Sequence, residues 1–312
     1  MRLQGLHHVT MLTADARENL RFGAEVLGLR FVKKTIHFDF GQFYHLYFAD
    51  EDATPGAVLT WFEMPDLPQG EAGAGMIHTI ELGVGSAEAL GFWEERLNRV
   101  GYPARREEGA LHFEDHDGLH FALIVAGSGN PPLRAEHPEI PAQHAIVGIE
   151  GARAYAEDPA AANPVLTDVL GFTDLGDGAY RLDGELRTFG WAYDPAPETP
   201  GEPRGRGSVA HIAWASADAD HLEWQRLLRE AGQDVTEVKD RDYFRSIYLL
   251  EPSGVRFELA TLSPGFTRDE DSEHLGEELC IPTQYADRRE ELERTLTPLT
   301  NPRAAWRKHE PA

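Results

Sequence analysis

The chain has 312 residues and a formal net charge of −24, 53 acidic against 29 basic side chains, a surface that repels phosphate backbones and excludes nucleic acid as a partner. At 41% hydrophobic and 10% aromatic it can bury a core, yet no apolar run nears the roughly 20 residues of a membrane helix, which excludes a spanning segment. The single Cys280 excludes a disulfide framework, and residues 1–5 lead into structure without the apolar stretch of a signal peptide, so a cytoplasmic protein is expected.

The predicted elements recur in one order. Residues 6–12 form a short apolar strand; 15–27 are apolar near helical spacing and stop at Gly28; 57–62 read as a strand. A Gly- and Pro-rich linker at 65–75 follows. Residues 76–84 open a second unit, 86–100 give a helix before Gly101, and 119–125 a strand. After a linker at 127–141 come strand 147–155, a short helix at 163–170 before Gly171, and strand 186–193. A third linker, 195–207, precedes strand 209–215, helix 216–231 before Gly232, and strands 246–250 and 255–261. Ser86 and Ser216 are placed to cap their helices. Residues 287–296 carry Arg and Glu at helical spacing and predict a salt-bridged surface helix.

The chain also repeats itself. Glu25-Val26-Leu27-Gly28-Leu29 recurs as Asp168-Val169-Leu170-Gly171-Phe172, His78-Thr79-Ile80 as His211-Ile212-Ala213, and Asp117-Gly118-Leu119-His120-Phe121-Ala122-Leu123 as Ser253-Gly254-Val255-Arg256-Phe257-Glu258-Leu259. The offsets drift as loop insertions would cause. The expectation is an α+β chain of four βαβββ modules in tandem duplication. Its predicted domains are 1–135 and 142–265, of two modules each, and a tail at 266–312.

Gly5-Leu6-His7-His8-Val9-Thr10, Leu27 through Thr35, Tyr44-His45-Leu46-Tyr47, Asp240-Arg241, Tyr243 through Tyr248, and Glu251-Pro252 through Phe266 resemble the glyoxalase/vicinal oxygen chelate superfamily, in its hydroquinone-type ring-cleaving dioxygenase branch. The resemblance runs over nearly the whole chain. It implies two half-open mixed β-barrels, the glyoxalase/bleomycin-resistance-like fold, with ligands from the first and last strands of two paired units. The equivalent first-strand positions are His8, His78, Gly151 and His211; the last-strand positions are Thr60, Ala122, Thr188 and Glu258. Only units one and four together give a full set of His8, His211 and Glu258, which is also the set that the resemblance implies. Two imidazoles and one carboxylate suit non-haem Fe(II) and are tolerated by Mn(II). The plain alternative is packed histidines, with Arg256, two residues along the same strand face, as the cation for Glu258.

The resemblance further implies that His7, Thr10, Arg241 and Tyr248 surround the substrate. Strand alternation turns His7 away from the face of His8, and Arg241 could instead pair with Asp240 or Asp242. Ala210 stands where the resembling dioxygenases usually carry a histidine, so either His7 handles protons in its place or the reaction differs. His112, His116 and His120 are spaced as on a metal-binding helix but straddle a turn sequence, so a hairpin without metal is expected. His37 and His45 fall in the strands of unit one; His45 is a candidate cavity residue, but packing is the expectation for it. His137, His144, His274 and His309 lie in linker or tail and are expected to face solvent.

The leading expectation is a metal-dependent dioxygenase opening a hydroquinone- or catechol-like diol with O2. Two other classes share the fold. One is a glyoxalase-like lyase or isomerase, which wants a fourth metal ligand where Thr60 stands. The other is a metal-free, drug-sequestering binding protein. Expected partners are a small aromatic molecule and O2; a homo-oligomer is left open.

Overall fold

The computed structural model describes residues 1–198 and 201–306; His309 lies outside them. Unit one runs through β1 (Gly5–Thr13), α1 (Ala16–Leu20), β2 (Arg30–Ile36), β3 (Tyr44–Ala49) and β4 (Val58–Glu63). Unit two has β5 (Ile77–Val84), α2 (Ala87–Arg99), β6 (Arg105–Glu107), β7 (Ala110–Glu114) and β8 (His120–Val125). Unit three has β9 (Ile146–Ala156), a single wide helical turn (Val165–Val169), β10 (Thr173–Gly176), β11 (Ala179–Asp183) and β12 (Thr188–Pro195). Unit four has β13 (Val209–Ser216), α3 (His221–Glu230), β14 (Lys239–Asp240), β15 (Arg245–Leu250) and β16 (Arg256–Thr261). The tail carries α4 (Arg289–Thr295) and α5 (Arg303–Trp306). Each unit is strand, helix, three strands.

Local chemistry sets the helix ends. Asp15 caps α1 by accepting from the N–H groups of Arg17 and Glu18, and Ser86 caps α2 by accepting from Ala89. After α1 the helix widens to an i to i+5 turn, Leu27 N–H donating to Phe22 C=O at 2.9 Å, and stops at Gly28 with φ +69°. Unit three repeats it, with Leu170 N–H to Val165 C=O at 3.0 Å and Gly171 at φ +79°. The two matching pentapeptides thus share a backbone that a left-handed glycine closes. Ser216 does not cap its helix. It ends β13, where its hydroxyl bonds the Ala260 carbonyl and His221 Nδ1, and the chain enters α3 through a tighter turn at Asp218–Asp220.

The strands form two eight-stranded mixed sheets. One has the order β14-β15-β16-β13-β1-β4-β3-β2 and joins units four and one; the other, β10-β11-β12-β9-β5-β8-β7-β6, joins units three and two. Units one and four meet through antiparallel β1 and β13, where His8 stands opposite Ala213 and Thr10 opposite His211. Parallel pairing sets Thr10 beside Thr60 and Ala213 beside Glu258. A local twofold therefore relates His8 to His211 and Thr60 to Glu258. One strand further out it relates Tyr47, opposite Thr60, to Tyr248, opposite Glu258.

The outward faces of the sheets share one apolar core. Phe22 packs on Phe113 and Phe121 of unit two, and Trp214 meets Phe172, Phe189 and Trp191 of unit three. The linkers after β4 and before β13 run together, Gly70 N–H to Arg206 C=O at 3.0 Å and Arg206 N–H to Pro68 C=O at 2.9 Å. The tail covers the outer strand β2, whose exposed edge would otherwise be open to pairing. Cys280 N–H donates to the Lys34 carbonyl, Lys34 Nζ reaches the carbonyls of Glu277 and Leu299, and Asn301 reaches that of Phe31. Lys33, fully buried, holds Asp269 and Glu270 at 2.5 Å each. No helix among the described residues is long and apolar enough to cross a membrane.

Candidate metal centre

His8, His211 and Glu258 converge on one point in the wall of a cavity of about 440 Å³. His8 Nε2 lies 3.2 Å from His211 Nε2; Glu258 Oε2 lies 2.9 Å from His211 Nε2 and 3.5 Å from His8 Nε2. All three side chains are buried. Glu258 Oε1 accepts from the Ser246 hydroxyl, but Oε2 has no directed hydrogen bond among the described residues. Burial opposes charge on Glu258, yet the two imidazoles outweigh it and hold its pKa well below the carboxylate range. A buried carboxylate oxygen left without a donor, facing two ring nitrogens, fits a cation among the three. Arg256 is not that cation: it lies exposed on the cavity wall, and the partner behind Glu258 is Ser246.

His7 fixes the His8 ring from behind. Its Nδ1 lies 2.8 Å from His8 Nδ1. Burial, then His8, pushes the His7 pKa down to about 3, so the ring is neutral. With His8 Nδ1–H donating to that neutral ring, the lone pair of His8 Nε2 is turned to the centre. Neither His7 nor Thr10 lines the cavity. Thr10 is wholly buried and accepts from the Thr60 hydroxyl at 3.4 Å. Thr60, the twofold mate of Glu258, is hydrogen-bonded to His45 as Glu258 is to Ser246, and Tyr47 holds the other His45 nitrogen at 2.8 Å.

Arg241 and Tyr248 both line the cavity. Arg241 pairs not with its sequence neighbours but with Asp39 of unit one, its two Nη atoms at 2.9 and 3.1 Å from the carboxylate oxygens. Its Nε donates to Tyr248 Oη at 3.2 Å, so the tyrosine oxygen accepts there and its own proton is left to donate. Burial, then Glu258, raises the Tyr248 pKa, and Arg241 only partly offsets this, so the phenol stays protonated. Phe62, Phe244 and Phe38 complete the apolar wall, and Phe244 sits 5.4 Å from the His8 ring.

His37 was missed by spacing, for it sits just past β2 in the loop that leads to Asp39. Its Nδ1 accepts from the N–H groups of Asp39 and Phe40 at 3.1 and 3.3 Å, which leaves the proton on Nε2, and burial lowers its pKa to about 4. With Ala210 also on the wall, His37 and His45 are the non-ligand imidazoles of the cavity.

The other histidines have structural settings. His112 and His120 flank a hairpin with His116 at its turn, where Nε2 meets Thr13 Oγ1 at 2.9 Å and Asp115 accepts from Asp117 and Leu119 N–H. His78 bonds Asp194 at 2.9 Å. His274 is exposed, but His144 is buried, stacked on Phe92 at 4.9 Å, and His137 packs against Trp306 at 4.6 Å. Both of these differ from expectation because linker and tail fold back onto the core.

No protein-family model matches the chain. It is similar to MhqA and MhqO of Bacillus subtilis, whose names describe candidate ring-cleaving dioxygenases. Identity to MhqA is 35% over 318 aligned residues, 96% of this chain and all of that protein. Identity to MhqO is 36% over 307, 95% and 97% of the two. It is 31% identical over 311 residues, 95% of this chain and 96% of the other, to the chlorohydroquinone/hydroquinone 1,2-dioxygenase of Sphingobium indicum. Among solved structures, a Bacillus subtilis protein titled as a candidate dioxygenase superposes with a TM-score of 0.88 at 34% identity, covering 96% of this chain and 98% of its own. Glyoxalase I of Zea mays, at TM-score 0.57 and 14% identity over 85% of this chain and 93% of its own, shares the fold.

Proposed function

We propose, from the premise that the chain belongs to the ring-cleaving dioxygenases of the glyoxalase/vicinal oxygen chelate superfamily, that it opens a hydroquinone- or catechol-like ring with O2. The metal would be held by His8, His211 and Glu258, Fe(II) being favoured by the donor set and Mn(II) tolerated. The observation that carries the reading is the convergence of three buried donor atoms, one of them an orphaned carboxylate oxygen. A threonine engaged by His45 where a fourth protein ligand would stand also favours an open-sided metal over a glyoxalase-like one.

When bound, such a metal would supply Lewis acidity and one-electron chemistry at the cavity wall. The chain supplies the rest. Phe62, Phe244 and Phe38 bind the ring and exclude water; His7 keeps the His8 ring in the productive tautomer. Tyr248 directs its proton at an oxygen of the substrate, while Arg241, held by Asp39, steadies the tyrosine oxygen and any negative charge that develops beside it. The His37 Nε2–H offers a second neutral donor where the resembling enzymes have a histidine in place of Ala210.

Protein loaded anaerobically with Fe(II), then given O2 with hydroquinone, is expected to consume one O2 per ring opened, read by an oxygen electrode and the ring-opened absorbance. Fully loaded protein that opens no diol overturns the proposal. Removing the phenol hydroxyl, and with it the oxygen that accepts from Arg241, with Tyr248→Phe is expected to lower kcat about 10²-fold, the low end for a positioned proton donor, with metal content unchanged. A kcat within twofold of the parent would assign Tyr248 to packing.

A further inference from the structure

The cavity wall carries four basic side chains, Arg204, Lys239, Arg241 and Arg256, against two acidic ones, Asp39 and Glu258. Glu258 is turned to the metal position and Asp39 is taken by Arg241. Among the described residues Arg204 and Arg256 form no ion pair with a carboxylate on the wall, although the chain as a whole is strongly acidic. Arg204 and Arg256 also lie close enough to act on one another electrostatically. Two like-charged guanidinium groups held at one cavity, in a protein of net charge −24, are a focused positive field. Neither is required by the metal or by the fold: Arg204 sits on the linker before β13, and Arg256 opens β16 with its side chain exposed.

Arg256 and Glu258 point to the same side of β16, so their stems stand about 6.6 Å apart along the strand. A ring bound by its hydroxyl at the Glu258 end therefore presents its far side to Arg256, and a planar guanidinium there suits bidentate capture of a carboxylate. We infer that the preferred substrate is a dihydroxylated ring carrying an anionic substituent, a carboxylate foremost, held by Arg204 and Arg256. The inference rests on the ring-cleaving reading above.

The test compares 2,5-dihydroxybenzoate with its methyl ester, the same ring with the charge removed. Calorimetric binding to the metal-loaded protein is expected to favour the acid at least tenfold, with the preference falling as salt rises. Arg204→Gln with Arg256→Gln is expected to bring the ratio to within about twofold, and the corresponding pair of lysine substitutions to keep most of it. Equal binding of acid and ester by the unaltered protein overturns the inference, as does a glutamine pair that keeps the preference. Aerobic turnover of both compounds is followed in parallel. A protein that binds the acid selectively yet opens neither ring refutes the ring-cleaving reading while the anion site stands.

Discussion

Glu258→Gln is expected to give a folded protein that no longer retains Fe(II) or Mn(II) and has lost ring cleavage by about 10³-fold or more. The reason lies in the surroundings of one atom. Among the described residues Oε2 has no directed hydrogen bond and faces two imidazole nitrogens, a setting that fits the proposed cation. Glutamine keeps the shape and the acceptor that faces Ser246 but removes the charge and sets an amide against the imidazoles. A metal site of this kind contributes several kcal/mol of charge stabilisation, and about 4 kcal/mol corresponds to 10³-fold. Two measurements check it. Metal content by elemental analysis should fall to background, and the rise in melting temperature that added metal gives the parent should vanish, since only a ligand that binds the folded state stabilises it. Full metal content in the variant would show that Glu258 is not a ligand.

The second large effect concerns stability. Lys33→Met is expected to cost about 3–5 kcal/mol and to lower the melting temperature by roughly ten degrees. Lys33 Nζ is wholly buried between Asp269 and Glu270 and lies over the Tyr243 ring at 5.0 Å. Burial opposes its charge, but the two carboxylates outweigh it and raise its pKa. Removing the ammonium leaves the buried Glu270 carboxylate uncompensated, which is worse than having no pair at all. Converting Asp269 to Asn and Glu270 to Gln in the same protein should therefore recover much of the loss. A melting temperature within two degrees of the parent in the single variant would count the cluster as incidental. The tail it secures brings Phe266 against Tyr47, Tyr243 and Phe244, so loosening it also disturbs the wall beside His8.

The sequence carried the juxtaposition of His8, His211 and Glu258 because the units repeat. Equivalent letters at His8 and His211, and at Thr60 and Glu258, mark positions that the β1–β13 register relates by a local twofold. Pairing units one and four was the arrangement that completed a ligand set, and it is the sheet order the chain adopts. What spacing could not show depended on contacts between distant segments. Asp39 meets Arg241 from 202 residues away, and no local pattern marks it. His37 reaches the cavity from a loop whose path only the folded barrel defines. Arg256 was the nearest cation to Glu258 along the strand, yet Ser246 on the neighbouring strand takes the inner oxygen and leaves Arg256 to the cavity wall. Ser216 had the right letter for a helix cap, but sheet hydrogen bonding claimed its hydroxyl.

The nesting of units two and three inside units one and four has a consequence for how the protein is made. The inner sheet is closed by residues 77–195, a contiguous stretch that can pair as soon as it is synthesised. The outer sheet cannot. β1 is made before any strand of the inner sheet, yet its partner β13 follows roughly 200 residues later and the strand bearing Glu258 later still, a delay on the order of ten to fifty seconds at typical synthesis rates. Until then an apolar strand carrying His7 and His8 waits with one edge unpaired, the part of the nascent chain most in need of protection from misassembly. The proposed metal site therefore cannot form before β16 has been made, and a chain that lacks β16 lacks Glu258.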